Sequence, residues 1–153
     1  MLRLYKGAPV EIRNKIANEV GISARVLESW LVTLNTVRNI CAHHGRLWNR
    51  GLGTRPTIPT IKKYPEWHRP FEIRYDNLLG VLTILSFLLE KVAPDTSWRT
   101  KLFGLLDTRT EDELNRMGFT DGWKESPLWK PWIDAKKVSA AGTCYVSVSI
   151  GRF

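Results

Sequence analysis

Arg38, Asn39 and His43 stand within six residues of one another in a segment with helical periodicity. On a straight helix Arg38 and His43 point about 140° apart and lie about 7.5 Å apart along the axis. Asn39 and His43, four apart, share a face. An arginine donates to phosphoryl oxygens and an imidazole moves a proton near neutral pH. With an amide to orient them, the three suit phosphate chemistry. Ser23 is placed to cap the helix that carries them, and Gly45 is the residue expected to close it in a left-handed conformation. Leu27, Trp30, Leu31, Leu34, Val37 and Cys41 form its apolar stripe. Arg38 projects near the middle of that stripe, so it must meet a carboxylate, a cleft or a second subunit. Asp76 is a candidate partner.

Beyond this helix the chain loses periodicity. Pro56, Pro59, Pro65 and Pro70, with Gly51 and Gly53, exclude a regular helix between Gly45 and Phe71. This arm carries Arg46, Arg50, Arg55, Lys62, Lys63 and Arg69 against a single Glu66, interleaved with Trp48, Tyr64, Trp67 and Phe71. Cations that track phosphates and aromatic faces that stack bases are what single-stranded RNA requires. The alternative is that the aromatics pin the arm to the body and the cations are solvated. His68 reads as an ordinary surface histidine. Charge follows the same division: residues 1–70 hold 12 Lys/Arg and 4 Asp/Glu, whereas residues 71–153 hold 11 of each. The whole excess of +8 therefore lies with the candidate chemistry, as on a polyanion-facing side.

The string Leu34-Asn-Thr-Val-Arg38-Asn39-Ile-Cys-Ala-His43-His44-Gly-Arg46-Leu-Trp48-Asn49 resembles the signature of the Abi-like (abortive infection, phage-resistance) proteins. Glu28-Ser-Trp30 flanks it, and the similarity continues through Met117-Gly118-Phe119 and Trp123…Pro127-Leu-Trp129, covering roughly residues 5–130. These proteins belong to the wider HEPN class of helical proteins, many of them ribonucleases with an arginine and a histidine at this spacing. The resemblance implies an all-α bundle, RNA cleavage, and pairing of motif helices across a two-fold axis. Family members carry further helices before this point, so the chain is expected to correspond to the C-terminal half of one.

The rest of the chain reads accordingly. Its 153 residues and 43% apolar content support one globular domain, taken as residues 1–130. Pro9 to Val20 is an amphipathic helix with Ile12, Ile16 and Val20 on one face. Followed by the long helix, it mimics a DNA-binding helix-turn-helix, but the second helix is too long and too apolar for a recognition helix. Glu72 to Val92 is apolar nearly all round, as for a helix central to a bundle. Further helices are expected over Ser97–Leu106 and Thr110–Met117, the latter opened by a Thr110/Glu113 capping box and stopped by Gly118. The Trp-rich end, Trp123 to Trp132, should cover open faces of the bundle. Residues 131–153 form a tail expected to be poorly ordered, and within it Ser139–Ile150 is small, β-prone and unlike the helical body.

No segment is long and apolar enough for a membrane span, no signal peptide opens the chain, and two cysteines give no disulfide framework. The chain reads as cytoplasmic. Cys41, His43 and His44 do not make a metal site, since adjacent histidines on a helix diverge and no fourth ligand is spaced nearby. No glycine-rich phosphate loop is present and no cofactor is expected. The expected function is a metal-independent endoribonuclease of abortive-infection or toxin type, restrained by an antitoxin protein or RNA and working as a homodimer. Arg38, Asn39 and His43 would be catalytic; Arg46, Trp48, Arg50, Arg55, Lys62, Lys63 and Arg69 would bind RNA. The alternative is a non-catalytic RNA-binding or protein-interaction module, and after it a helix-turn-helix DNA-binding protein.

Overall fold

The computed structural model describes residues 2–70, 73–130 and 133–134. Six α-helices lie wholly among the described residues: α1 (Leu2–Gly7), α2 (Val10–Glu19), α3 (Ala24–Ala42), α4 (Leu78–Val92), α5 (Trp98–Asp107) and α6 (Glu111–Arg116). Single 3₁₀ turns occupy Pro65–Trp67 and Trp123–Glu125. No strand is found among the described residues, so the fold is all-α. The β-prone stretch Ser139–Ile150 lies outside the described residues, as does the rest of the tail 131–153 apart from residues 133 and 134.

Local chemistry sets these limits. The Ser23 hydroxyl accepts the Val26 N–H at the start of α3, Asn77 Oδ1 accepts that of Gly80 in α4, and Thr110 and Glu113 close a reciprocal capping box on α6. Helix α4 therefore begins six residues later than expected from Glu72, because Asn77 supplies the cap. Gly80 also packs against the backbone of Arg74 and Tyr75, where no side chain would fit. Gly118, at φ +96°, turns the chain after α6 against the Asn77 side chain, and Met117 O accepts the Leu79 N–H at 3.1 Å.

Two apolar cores lie on either side of α4. In the first, Trp30 of α3 is fully buried against Trp67 and Phe87, with ring centroids 5.1 and 5.5 Å away. Tyr5, Ala17, Ile22, Leu27 and Ile84 complete it. In the second, Trp129 packs edge-on against Phe103, Phe119 and Trp123, and its indole N–H donates to Thr83 Oγ1 at 3.0 Å. The Trp-rich end thus does cover the bundle, as far as Lys130. The same core holds Met117 and Phe119. Arg99 is buried with its guanidinium on Ser86 and, at 3.4 Å, on Glu90. Burial lowers its pKa, and the Glu90 carboxylate opposes that effect.

Helix α2 faces the core differently from its periodic pattern. Ala17 and Val20 are buried and Arg13 is half-buried, whereas Ile12 and Ile16 are exposed. The cause is α1, which the sequence pattern does not announce. Its Tyr5 is buried and donates to the carbonyls of Arg13 and Ala24. Glu28 of α3 pairs with both Lys6 and Arg13, at 3.5 and 3.3 Å. Those pairs turn the Arg13 side of α2 inward. Burial raises the Tyr5 pKa, opposed by the nearby Arg13 charge and reinforced by Glu28.

Candidate nucleic-acid site at the end of the long helix

Helix α3 is packed along its first half and open along its second. Leu27 and Trp30 are buried, Leu31, Leu34 and Val37 are half-buried, and Cys41 is exposed. The stripe therefore runs out of the core before Arg38, which lies at the surface and needs no buried counter-charge. Asp76, the partner considered for it, instead pairs with Arg74 at 3.5 Å. Arg38 donates to Asn39 Oδ1 at 2.9 Å.

The helix closes on three successive backbone bonds. The N–H groups of His43, His44 and Gly45 donate to Asn39 O, Cys41 O and Ile40 O, at 3.1, 3.0 and 2.8 Å. The last two bonds make a Schellman cap. The left-handed residue in it is His44, at φ +55°, and not Gly45 as expected. Gly45 is required for another reason: a Cβ there would lie 2.8 Å from Ile40 Cγ2 and 2.9 Å from Ile40 O. The chain then turns again at Leu47–Arg50, where the Arg50 N–H donates to Leu47 O and Asn49 takes φ +53°. Leu52, buried, anchors the far end by donating its N–H to Asp76 O at 2.7 Å.

Beside this hook lies a shallow, open surface cavity of about 360 Å³ lined by Thr36, Asn39, Ile40, His43, Gly45 and Arg50. Of the three expected catalytic residues, Asn39 and His43 line it together, and Arg38 reaches it only through Asn39. Arg50, read from the sequence as a strand-binding residue of the arm, is brought into the same cavity. No carboxylate lines it.

The remaining arm is pinned back along α3. The Trp30 indole N–H donates to Thr57 O at 2.9 Å, the Thr57 N–H donates to Ser29 Oγ at 2.8 Å, and Lys63 Nζ donates to Gly21 O at 3.3 Å. His68, half-buried, shares a 2.8 Å hydrogen bond with Pro59 O, so it is not the bystander expected. Trp67 is fully buried and Tyr64 half-buried against Phe87, so neither presents a free face to a base. Trp48 is 39% exposed, with the Arg116 guanidinium 5.8 Å from its ring. Arg46, Arg50, Arg55, Lys62, Lys63 and Arg69 are all exposed.

Fold and site together define an all-α protein with a basic arm and a histidine-bearing cavity at the end of its longest helix. A family model described as Abi-like protein matches residues 1–49. That span ends within the hook and contains Arg38, Asn39 and His43, so the N-terminal third of the chain is Abi-like in sequence. The match is shorter than the roughly 5–130 expected. No curated protein and no solved structure matches the chain. Among the described residues, no cluster of three or more His, Cys, Asp or Glu could hold a metal ion, and no helix is long and apolar enough to cross a membrane. Cys41 is a free, exposed thiol.

Proposed function

We propose that the chain is an RNA-binding, metal-independent endoribonuclease that acts in abortive infection, and that the cavity at the end of α3 is where RNA is cut. The observation that carries this reading is the convergence of Asn39, His43 and Arg50 on one cavity without a carboxylate, within the Abi-like segment and its immediate continuation. RNA brings its own nucleophile, the 2′-hydroxyl beside each phosphate. His43 takes the proton from that hydroxyl or gives one to the departing 5′-oxygen. Asn39 orients the phosphate beside it. Arg38, bonded to Asn39, fixes the amide and adds positive charge at the rim.

The arm supplies the track for the strand. It leaves the cavity at Arg50 and reaches Gly21, just before α3, at Lys63. Helix α3 has 19 residues, so this return runs alongside about 28 Å of helix. Arg55, Lys62 and Lys63 lie along it, exposed. We further propose that two copies pair through the open half of α3, where Leu34, Val37 and Ile40 are only half-buried. Such an isologous pair would set two cavities around one groove. Restraint of the activity would fall to an antitoxin protein or RNA that covers the cavity.

The test is cleavage of single-stranded RNA in EDTA, run beside circular-dichroism melts. Wild type should give products ending in 2′,3′-cyclic phosphate and leave DNA of the same sequence intact. His43→Ala should abolish cleavage with an unchanged melt, since the side chain is exposed. A protein that binds RNA with micromolar affinity and never cuts it would establish a non-catalytic RNA-binding module instead.

A further inference from the structure

Two arginines lie near His43, and they are committed differently. Arg38 spends a guanidinium N–H on Asn39 Oδ1 at 2.9 Å and is absent from the cavity lining. Since a guanidinium can only donate, this bond fixes the Asn39 amide with its oxygen toward Arg38 and leaves its NH₂ group to donate elsewhere. Arg50 is exposed, lines the cavity with His43, and is in no ion pair among the described residues.

Its place is built in by the hook. The Schellman bonds at His44 and Gly45 tie one end, the Leu52–Asp76 bond ties the other, and left-handed turns at His44 and Asn49 reverse the chain between them. His43, Arg50 and Asn39 thus border one cavity, with no carboxylate among its lining residues to compete for an anion. That set fits a phosphate dianion or diester: a guanidinium forks onto two oxygens, while the imidazole addresses a third. A volume of about 360 Å³ accommodates one phosphate with its sugar.

We propose that Arg50 is the residue that grips the phosphate beside His43, and that Arg38 is a positioning residue acting through Asn39. The assignment rests on the endoribonuclease reading for its role in cleavage, but not for anion binding itself. Each protomer then holds a histidine and an arginine for one phosphate without borrowing a charge from a second copy.

Inorganic phosphate is the probe for binding. In wild type, the imidazole NMR signals of His43 should shift saturably with phosphate, and not with chloride at matched ionic strength. Arg50→Ala should abolish that shift, Arg50→Lys should weaken it, and Arg38→Ala should preserve it. In cleavage of single-stranded RNA at saturating concentration, Arg50→Ala should lower kcat about 100- to 1000-fold, the range for loss of one charge-stabilising donor. Arg50→Lys should recover part of it. Arg38→Ala and Asn39→Ala should each act mainly on kcat, and their double variant should be no worse than the poorer single one.

A phosphate shift that depends on Arg50 in a protein that cuts no RNA would support the anion site and sink the endoribonuclease reading. RNA cutting by Arg50→Ala within twofold of wild type would overturn the inference and leave that reading standing. Wild-type His43 signals that ignore phosphate, or that respond equally in Arg50→Ala, would overturn it too.

Discussion

Replacing Gly45 with alanine should open the hook and disable the cavity while sparing both cores. The new Cβ would sit 2.9 Å from Ile40 O, the oxygen that the Gly45 N–H already holds at 2.8 Å, and 2.8 Å from Ile40 Cγ2. The oxygen belongs to the helix backbone and cannot retreat. The Cγ2 belongs to a β-branched side chain that is stiff on a helix. Relief must come from moving residue 45 outward, which lengthens or breaks the capping bond. One such bond contributes roughly 1 kcal/mol, and overpacking of this kind costs about 1–3 kcal/mol. Since the strain lies at a surface loop, most of it should appear as local opening. Amide exchange at residue 45 should accelerate about 5- to 150-fold, the factor for about 1–3 kcal/mol. RNA cleavage should fall by at least tenfold, because Arg50 leaves His43, while Tm drops by no more than a few degrees. A variant with wild-type exchange at residue 45 and wild-type cleavage would refute the claim that the cap holds the site together.

His44→Gly should do the opposite to stability: a non-glycine residue at φ +55° costs about 1–2 kcal/mol, and glycine's extra freedom when unfolded returns about 0.5–1, for a net gain near 0.5–1 kcal/mol in denaturant melts. In RNA binding, the slope of log K against log salt should flatten by about 1.4 in Lys62→Ala/Lys63→Ala, at about 0.7 for each single-strand phosphate left without its lysine, if the arm is the track. An unchanged slope would move the track elsewhere. Tyr5 supplies a pH dependence, since burial raises its folded pKa above the ordinary 10.0. A raised folded pKa means its contribution is complete below pH 10 and is lost as pH climbs through the folded value. Wild-type stability should thus fall more steeply above pH 10 than that of Tyr5→Phe, and parallel curves would show that Tyr5 is not desolvated.

Much of the fold could be read from local signals because those signals are local in origin. The Ser23 cap, the Thr110/Glu113 box and the apolar character of α4 depend on residues three or four apart, and each appears where the sequence put it. Helix α2 shows where this fails. Its period is helical, yet the buried face is set by Tyr5 and by the Glu28 pairs with Lys6 and Arg13, which come from two other helices. Trp67 fails for a related reason. In a basic, proline-rich arm it reads as a stacking surface, but Trp30 and Phe87 enclose it from elements 37 residues before and 20 after it.

The candidate site divides along the same line. That Asn39 and His43 share a face follows from four-residue spacing alone, and they do line one cavity. Arg50 joins them only because two non-glycine residues, His44 and Asn49, take the left-handed conformation. A rule that assigns that conformation to glycine places the turn one residue late, at Gly45. One residue of displacement around a helix end rotates the downstream chain by about 100°, enough to send the arm away from His43. Gly45 is better understood as the place where the chain must pass close to Ile40 O, with His44 bearing the strain so that it can. The signal was present in the order His-His-Gly followed by Arg-Leu-Trp-Asn-Arg, but only the backbone geometry gives it direction. An arginine seven residues after a histidine is distant on a helix, and across this hook the two share one cavity.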